Sequence, residues 1–392
     1  MPLVPSSWTR RAACAPALAV AVALAGSPLA PVRAQQGPPP AQPQGARGQG
    51  APPGAPAGAP GARGQGQGRG MNFEADVQRQ AATDTTWRAA SEGFMTMQKT
   101  TYKSRADGLD IPVFIFKPLT LKGPKQHPAL VWVHPDIRGH VYEYYIPYVR
   151  EAVARGYVVI APEYRGSVGY GQAFYDAIDY GGAEVDDVVT AVTALKTMPE
   201  VDPARIGIIG WSHGGMITML SIERNPTLFK VAAAMVPVTN LFQRLAWKNV
   251  ERQHHNIDPQ NRYGGLPGDS AAINQVYKER SPLFLVDKIQ TPVIVHVTKN
   301  DQDVNIEEDM QLVDALRARK SDLAETKVYE NPIGGHLFDR MCPATLPNAG
   351  RVDMTTLENF VPTNTREQRD SWARVWAFLD WNLDPYHGPD GK

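Results

Sequence analysis

Short apolar runs rich in Val and Ile alternate with longer amphipathic stretches along most of the chain, and this alternation limits the folds open to it. It predicts βαβ units and a mostly parallel central sheet with helices on both faces. No repeat of 20–50 residues appears, which argues against a propeller or a solenoid. The predicted strands are residues 112–117, 129–134, 157–162, 205–210, 231–237, 292–297 and 325–330, and the predicted helices include 184–197, 214–224, 307–319 and 367–381.

The N-terminal part differs in composition from the rest. Residues 1–34 have the pattern of a signal peptide, with the basic pair Arg10 and Arg11 ahead of a short apolar stretch and small residues at the cleavage positions. Residues 35–70 are almost entirely Gly, Pro, Ala, Gln and Arg, which predicts a disordered linker. We therefore expect an exported protein, periplasmic or secreted, which the linker could tether to the envelope.

The folded part is predicted to span residues 71–392. The segment 241–284 interrupts the alternation; it is long, polar and aromatic, and we interpret it as a mostly helical cap insertion. No segment after the signal is apolar over the ~20 residues that span a bilayer, so no integral membrane segment is expected in the mature chain. Beyond residue 70 the chain carries 34 basic and 40 acidic side chains, which does not indicate nucleic-acid binding.

The sequence GWSHGG at 210–215 directly follows a predicted strand and opens a predicted helix. This strand–turn–helix context is that of the nucleophile elbow of the α/β-hydrolase fold. Glycines are needed because the turn is tight, and the serine is held at the carboxyl end of the sheet. The pattern predicts Ser212 as a nucleophile and the backbone N–H of His213 as an oxyanion donor.

A serine nucleophile needs a base, and in this fold the chain order is Ser, acid, His. Asp301 and Asp303 both lie just beyond a predicted strand, and pattern alone leaves both open as the acid. His336 follows the next strand behind two glycines, in a loop that can bring its imidazole to Ser212. We predict His336 as the general base.

Other histidines follow the serine but fit this order less well. His254 and His255 precede the acid and lie in the predicted cap, so we interpret them as surface residues or substrate contacts. A metal site of these two with Asp258 is not favoured, since no strong zinc spacing such as H-E-x-x-H occurs. The sequence predicts neither a metal nor an organic cofactor.

The second part of the oxyanion hole should come from the loop after an early strand, here HPDIRGH at 134–140. Pro135 has no N–H to donate, so the available donors are the N–H of Asp136 and the side chain of His134. Asp136 also brings a negative charge near the oxyanion unless it points away or pairs with Arg138.

Together these residues resemble the catalytic domain of the prolyl oligopeptidase family of serine peptidases, which includes dipeptidyl peptidases and acylaminoacyl peptidases. The resemblance runs from about Thr100 to the C-terminus. Its motifs are VDPARIG at 201–207 leading into GWSHGG, PEYRGSVGYG at 162–171, the acidic residues Glu184 and Asp187, and Ser281-Pro282 before the strand that leads to the acid. In the family the triad acid stands three residues before a Val, which selects Asp301, ahead of Val304.

The departures from the family limit what the resemblance implies. Residues 71–111 are too few for the family's β-propeller, so none is expected. Relatives often have His-Gly-Gly-Pro where this chain has HPDI at 134–137, and prolyl oligopeptidases have Arg at the place of Asp303, so prolyl specificity is not implied. Glu307 and Glu308 are interpreted as a solvated helix face.

The predicted function is hydrolysis of amide or ester bonds by Ser212, His336 and Asp301 through an acyl-enzyme. A peptidase or aminopeptidase is favoured, with peptides as substrates. A carboxylesterase acting on small or aryl esters is the alternative, and a non-catalytic binding protein on a hydrolase scaffold is the third interpretation. We expect Tyr164, Trp211 and Tyr144 to contact the substrate. The oligomeric state is left open.

Overall fold

The computed structural model describes residues 72–247 and 262–386, and the strands of this part form one mixed sheet. They are β1 (Met95–Lys103), β2 (Asp110–Pro118), β3 (His127–Val133), β4 (Val158–Pro162), β5 (Val201–Trp211), β6 (Val231–Met235), β7 (Val293–Thr298) and β8 (Ala324–Tyr329). The order across the sheet is β1-β2-β4-β3-β5-β6-β7-β8. β2 runs antiparallel to β1 and β4, and all other neighbours are parallel, as the predicted α/β-hydrolase fold requires.

Helices cover both faces of this sheet. They are α1 (Phe73–Ser91), α2 (Ile146–Ala154), α3 (Gln172–Asp176), α4 (Ala183–Lys196), α5 (His213–Arg224), α6 (Leu241–Trp247), α7 (Ala271–Glu279), α8 (Ile306–Arg319) and α9 (Arg366–Leu383). Apolar side chains of α4, α5 and α8 form the core on one face, and those of α1, α2 and α9 form the core on the other.

Strand β5 is buried on both faces over its second half. Ile208 belongs to the core on one face and Ile209 to the core on the other, because successive side chains of a strand point to opposite sides. Both are fully buried. A strand in this position needs continuous apolar sequence, and β5 carries Ser212 directly after its last residue.

All seven predicted strands are present, but β1 and α1 were not predicted. The sequence of β1, MTMQKTTYK, is mostly polar because it lies at the edge of the sheet and only Met95 is buried. Helix α1 turns Asp76, Gln80 and Thr83 toward the protein as well as Trp87. Its buried face therefore does not show as an apolar stripe, the pattern by which a helix is recognised in a sequence.

The described part of the predicted cap segment contains helices α6 and α7, with turns and bends at 264–270. Arg244 of α6 is buried, and its Nη1 donates 3.1 Å to the carbonyl oxygen of Asp303, so α6 lies beside the loop that carries the predicted acids. The predicted signal peptide and linker, and the residues His254, His255 and Asp258, lie outside the described residues. Within the described ranges, no helix has the length and apolarity that crossing a bilayer requires.

Candidate active site

Ser212 stands at a sharp turn between the end of β5 and the start of α5. Its backbone has φ 55° and ψ −118°, a conformation that L-residues adopt rarely and that is found at functional sites. A Cβ on Gly210 would collide with the carbonyl oxygen of Gly214, and one on Gly214 would collide with that of His134. The turn is thus open only to a sequence with glycine at both positions. The N–H of Ser212 donates 2.9 Å to Met235 at the end of β6.

Asp301 lies just past the end of β7 and is held from two sides. Its Oδ1 accepts the backbone N–H groups of Asp303 (2.7 Å) and Val304 (2.9 Å), and its Oδ2 is 2.6 Å from Nδ1 of His336. The carboxylate is nearly buried. Because Nδ1 donates to Asp301, the neutral imidazole has its free lone pair on Nε2, which is the tautomer that a general base needs.

The structure separates the two acids that the sequence pattern left open. Asp301 contacts Nδ1 of His336, whereas Oδ2 of Asp303 is 3.6 Å from Nε2, on the opposite edge of the ring. Nε2 is buried and makes no hydrogen bond with the described residues. The bond from a serine to its base is often long in the absence of substrate. This geometry favours Asp301 as the residue that orients the imidazole.

The loop that carries His336 depends on two glycines. Gly334 and Gly335 have φ 96° and 50°, which strain any other residue type, and a Cβ on Gly335 would lie 2.9 Å from the carbonyl oxygen of Asn300. The loop therefore packs closely on the acid loop. After the histidine, Nη2 of Arg340 donates 2.6 Å to the carbonyl oxygen of His336.

The side chain of His134 has a different place from the predicted one. It is fully buried, and its ring nitrogens lie 2.8 Å from the carbonyl oxygen of Pro135 and 3.0 Å from Oγ of Ser167. Burial lowers the pKa of His134 to about 3, so the ring is neutral. With both nitrogens engaged in the interior, the ring supports the loop and does not point at the site as a donor.

Tyr164, predicted as a substrate contact, is a buried support of the same loop. Its hydroxyl donates to the carbonyl oxygens of Asp136 (2.6 Å) and His134 (3.2 Å). Its neighbour Glu163 is also buried and accepts the N–H of Val141 at 3.0 Å. Burial raises the pKa of Glu163 to about 8. These two residues of the PEYRGS motif therefore hold the predicted oxyanion loop from the interior of the protein.

Trp211 is also buried, which corrects its prediction as a substrate contact. Its indole packs among Trp132, Tyr145 and Trp372, with ring centroids 4.7–5.9 Å away, and its Nε1 donates to Asp339. Trp211 is therefore part of the hydrophobic core. Of the three predicted contacts only Tyr144 is partly exposed.

Asp136 is exposed and has φ 66°. It does not pair with Arg138, whose guanidinium lies 3.7 Å from the ring centroid of Tyr175 and donates to that residue's carbonyl oxygen. Oδ2 of Asp136 instead accepts a 2.8 Å hydrogen bond from the hydroxyl of Tyr142. The ring of Tyr142 is stacked on that of Tyr144 at 4.9 Å.

His213 begins α5, where its N–H is one of the free donors of the helix N-terminus. Its ring is buried and stacked on Tyr180 at 4.9 Å, with Nε2 3.5 Å from Oε1 of Glu184. Burial raises the pKa of Glu184, but the adjacent imidazole of His213 and the hydrogen bond from the N–H of Gly181 outweigh it and hold the pKa below its ordinary value.

The acids of the family-like helix α4 thus have interior partners. Asp187 receives two hydrogen bonds of 2.8 Å from Arg165, which anchors the PEYRGS segment to α4. The sequence suggested that Glu308 lies on a solvated helix face, and the structure corrects this. It is buried and accepts the N–H groups of Thr239 (2.8 Å) and Asn240 (3.1 Å), just before α6. Among the described residues, no group of three or more His, Cys, Asp and Glu could hold a metal ion.

Residues 145–341, half of the chain, match the prolyl oligopeptidase family. The uncharacterized peptidase YuxL of Bacillus subtilis is 29% identical over 240 residues, which are 60% of this chain and 34% of that protein. The acylamino-acid-releasing enzyme of Arabidopsis thaliana is 31% identical over 189 residues, 47% of this chain and 24% of that enzyme. The chain thus spans about a third or less of the length of these relatives.

Solved structures show the same fold. A puromycin-hydrolyzing peptidase of Mycobacterium tuberculosis superposes with a TM-score of 0.56 and 23% identity, over 74% of this chain and 40% of that one. Uncomplexed acylaminoacyl peptidase of Pyrococcus horikoshii superposes with a TM-score of 0.55 and 18% identity, over 75% of this chain and 43% of that one. At these identities the likeness bears on the fold alone.

Proposed function

Because this chain belongs to the prolyl oligopeptidase family, we propose that it is a serine peptidase that cleaves amide bonds through an acyl-enzyme. Ser212 is the nucleophile, His336 the general base and Asp301 the acid that orients it. The observation that carries the proposal is the 2.6 Å hydrogen bond between Nδ1 of His336 and Oδ2 of Asp301. Because this bond occupies Nδ1, Nε2 is left to accept the proton of Ser212 at the same edge of the sheet.

In the proposed reaction, Oγ of Ser212 attacks the carbonyl carbon and its proton passes to Nε2 of His336. Asp301 stabilises the imidazolium that results. The tetrahedral intermediate collapses as His336 returns the proton to the leaving amine. A water molecule then attacks the acyl-enzyme with His336 again as the base, which releases the acid product and restores Ser212.

The oxyanion is proposed to bind two backbone N–H groups, those of His213 and Asp136. The first lies at the N-terminus of α5, where the helix dipole also favours negative charge. The second lies in the loop that Tyr164 holds by two hydrogen bonds. Preorganised donors of this kind act without reorganisation during the reaction, which is why the support of the loop matters.

Labelling with a fluorophosphonate probe tests the proposal directly. The purified protein should form one covalent adduct, on Ser212, and the Ser212→Ala variant should form none. Ser221→Ala is a matched control, because Ser221 is a buried serine of helix α5, which begins directly after Ser212, and its substitution should leave labelling intact. A folded wild-type protein that does not react would favour a binding protein on a hydrolase scaffold.

A carboxylesterase is the second candidate, favoured by Pro135. This residue has no N–H, so the 134–136 loop offers fewer backbone donors to an oxyanion. Esters react more readily than amides and would tolerate a weaker oxyanion hole. Turnover of p-nitrophenyl esters without turnover of aminoacyl or dipeptidyl p-nitroanilides would assign the protein to the esterases, while hydrolysis of the anilides supports the peptidase.

Export is proposed from the pattern of residues 1–34 alone. Expression of the full chain in a bacterial host should yield a protein outside the cytoplasm whose mature N-terminus is Gln35, as read by mass spectrometry of the intact chain. Recovery of the chain from the cytoplasm with residues 1–34 still attached would contradict this proposal.

A further inference from the structure

An exposed acid, Asp136, lies within the predicted oxyanion loop, and its carboxylate has no part in the proposed triad. Asp136 keeps a backbone φ of 66°, in a region that glycine adopts freely and that costs other L-residues energy. Such conformations cluster where a side chain serves a ligand or a reaction. A negative charge beside an oxyanion is unfavourable. A positive group is therefore expected to neutralise the carboxylate of Asp136.

Asp136 lies close to the nucleophile because β3 and β5 are parallel neighbours. Val133 is paired with Gly210, so the two chains leave the sheet side by side, one toward Asp136 and the other toward Ser212. The carbonyl oxygen of His134 packs against Gly214 in the first turn of α5. Asp136 is two residues further on, within about 7.6 Å between α-carbons. Asp136 therefore lies near the carboxyl end of β5, where Ser212 stands.

The carboxylate is held in one orientation. Oδ2 accepts the 2.8 Å hydrogen bond from the hydroxyl of Tyr142, whose ring is clamped between His140 (4.1 Å) and Tyr144 (4.9 Å). Oδ1 makes no hydrogen bond within the described part of the chain, and Asp136 forms no ion pair there. One carboxylate oxygen is thus fixed by the protein, and the other is available to a ligand.

Neither Arg138 nor Arg340 forms a hydrogen bond or an ion pair with Asp136. Arg138 lies over the ring of Tyr175. Arg340 is buried, donates to the carbonyl oxygen of His336, and has its Nε 3.6 Å from Oδ1 of Asp339; its charge interacts with that of Asp136 only at longer range. The protein therefore leaves a preoriented negative charge beside two partly exposed tyrosine rings.

We propose that Asp136, with Tyr142 and Tyr144, binds a primary ammonium group of the substrate. A carboxylate gives a charge-assisted hydrogen bond to an ammonium, and the phenol oxygen of Tyr142, which lies beside Asp136, can accept another. The ammonium could be the free α-amino group of the acyl residue or the side chain of a lysine. When bound, the ammonium neutralises Asp136 close to the place where negative charge develops in the reaction. Cationic substrates should therefore have a higher kcat as well as a lower KM.

This inference rests on the proposed serine hydrolase function, and a charge-neutral substitution tests it. Asp136→Asn keeps the shape of the side chain, an oxygen for the hydroxyl of Tyr142, and a residue type that tolerates positive φ. Asp353→Asn is the matched control, because Asp353 is also an exposed acid that accepts from a hydroxyl, that of Thr355. The substrates are alanine p-nitroanilide, which has a free α-amino group, Nα-acetylalanine p-nitroanilide, which is neutral, and Nα-acetyllysine p-nitroanilide, which carries only the side-chain ammonium.

We expect Asp136→Asn to lower kcat/KM by about 10- to 100-fold for a substrate that carries an ammonium group. The readout is the ratio of this kcat/KM to that of the neutral Nα-acetylalanine substrate, which should fall by the same factor, because the backbone N–H of Asp136 is itself proposed to serve the oxyanion and could change turnover of every substrate alike. Loss on the free-amine substrate identifies the α-amino group, and loss on the lysine substrate identifies the side chain. Equal loss on the neutral substrate, or loss on none, overturns the inference.

A binding measurement separates this inference from the proposed function. Calorimetric titration of Ser212→Ala protein with alaninamide and lysinamide reads the ammonium site without turnover. Binding should weaken by about tenfold or more when Asp136→Asn is added, and unchanged binding of both amides overturns the inference. If the wild type cleaves no substrate and reacts with no fluorophosphonate, the proposed function fails, while this titration still decides whether the site binds an ammonium.

Discussion

Trp211 and Asp339 are joined by a buried hydrogen bond of 2.9 Å from the indole Nε1 to the carboxylate Oδ2. Trp211 immediately precedes Ser212, and Asp339 is the third residue after His336. The carbonyl oxygen of Asp339 also accepts a 2.6 Å bond from Nε1 of Trp372. The turn that carries the predicted nucleophile and the loop that carries the predicted base are therefore tied together behind the site.

Trp211→Phe removes this donor and keeps an aromatic ring in the core. We expect kcat to fall by about tenfold or more with little change in KM, because small displacements of catalytic groups are costly while the substrate contacts remain. The measurement is steady-state kinetics together with the rate of fluorophosphonate labelling. Trp376→Phe, in the same aromatic cluster, is the control, and an equal loss of kcat in that variant would assign the effect to general loosening of the core.

Asp301→Asn and Asp303→Asn form a matched pair two residues apart. Asp301 holds Nδ1 of His336 at 2.6 Å, so its amide should favour the wrong tautomer and lower kcat by roughly 10⁴-fold, as in other serine triads. Asp303, with its carboxylate 3.6 Å from Nε2, should lose less than about tenfold. Steady-state turnover of one substrate by both variants is sufficient. A larger loss in Asp303→Asn would show that the orienting acid is misassigned.

Tyr164→Phe deletes the hydroxyl that holds the carbonyl oxygens of His134 and Asp136. We expect about a tenfold loss of kcat, since the loop that presents the Asp136 N–H loses its support. Tyr157→Phe is the control: this buried tyrosine also donates its hydroxyl, to Asp380, in a contact that does not involve the oxyanion loop. Turnover and urea unfolding are measured for both. Equal losses of turnover would refute a specific role for Tyr164.

Glu163→Gln should change how stability depends on pH. The folded-state pKa of Glu163 is about 8, raised by burial above the ordinary 4.5. Because the folded state holds the proton more tightly than the unfolded state, protonation of Glu163 stabilises the fold fully below pH 4.5. This contribution is lost as the pH rises from 4.5 through about 8. The loss approaches roughly 1.4 kcal/mol per pH unit within that window.

The glutamine variant has no such slope, so its free energy of unfolding relative to wild type should increase from pH 5 to pH 8. Urea unfolding at several pH values measures this difference, in which all other titrating groups cancel. Glu330→Gln, at an exposed glutamate, should keep the wild-type dependence. A Glu163→Gln protein with the wild-type slope would mean that Glu163 is ionised in the folded state at neutral pH.

Local patterns were sufficient for seven of the eight strands of the sheet and for the chemistry-bearing residue types, but not for the polar edge strand β1 or for α1. A strand buried on both faces must be apolar throughout, so β5 and its parallel neighbours could be located from their composition alone. A Cβ on Gly210 would collide with the carbonyl oxygen of Gly214, four residues further on, so this requirement of the turn at Ser212 is local and could be recognised from the sequence. These requirements act between residues close in sequence, and the sequence by itself determines them.

Only the tertiary structure decided which side chains face the site and which support it. Tyr164, Trp211 and His134 are residue types that could bind substrate or an oxyanion, but all three are buried against partners from distant parts of the chain. Asp301 and Asp303 stand two residues apart with the same chemistry, and the ring of His336 meets them at opposite nitrogens. The role of such a side chain depends on burial and on partners brought together by folding, which spacing along the chain does not encode.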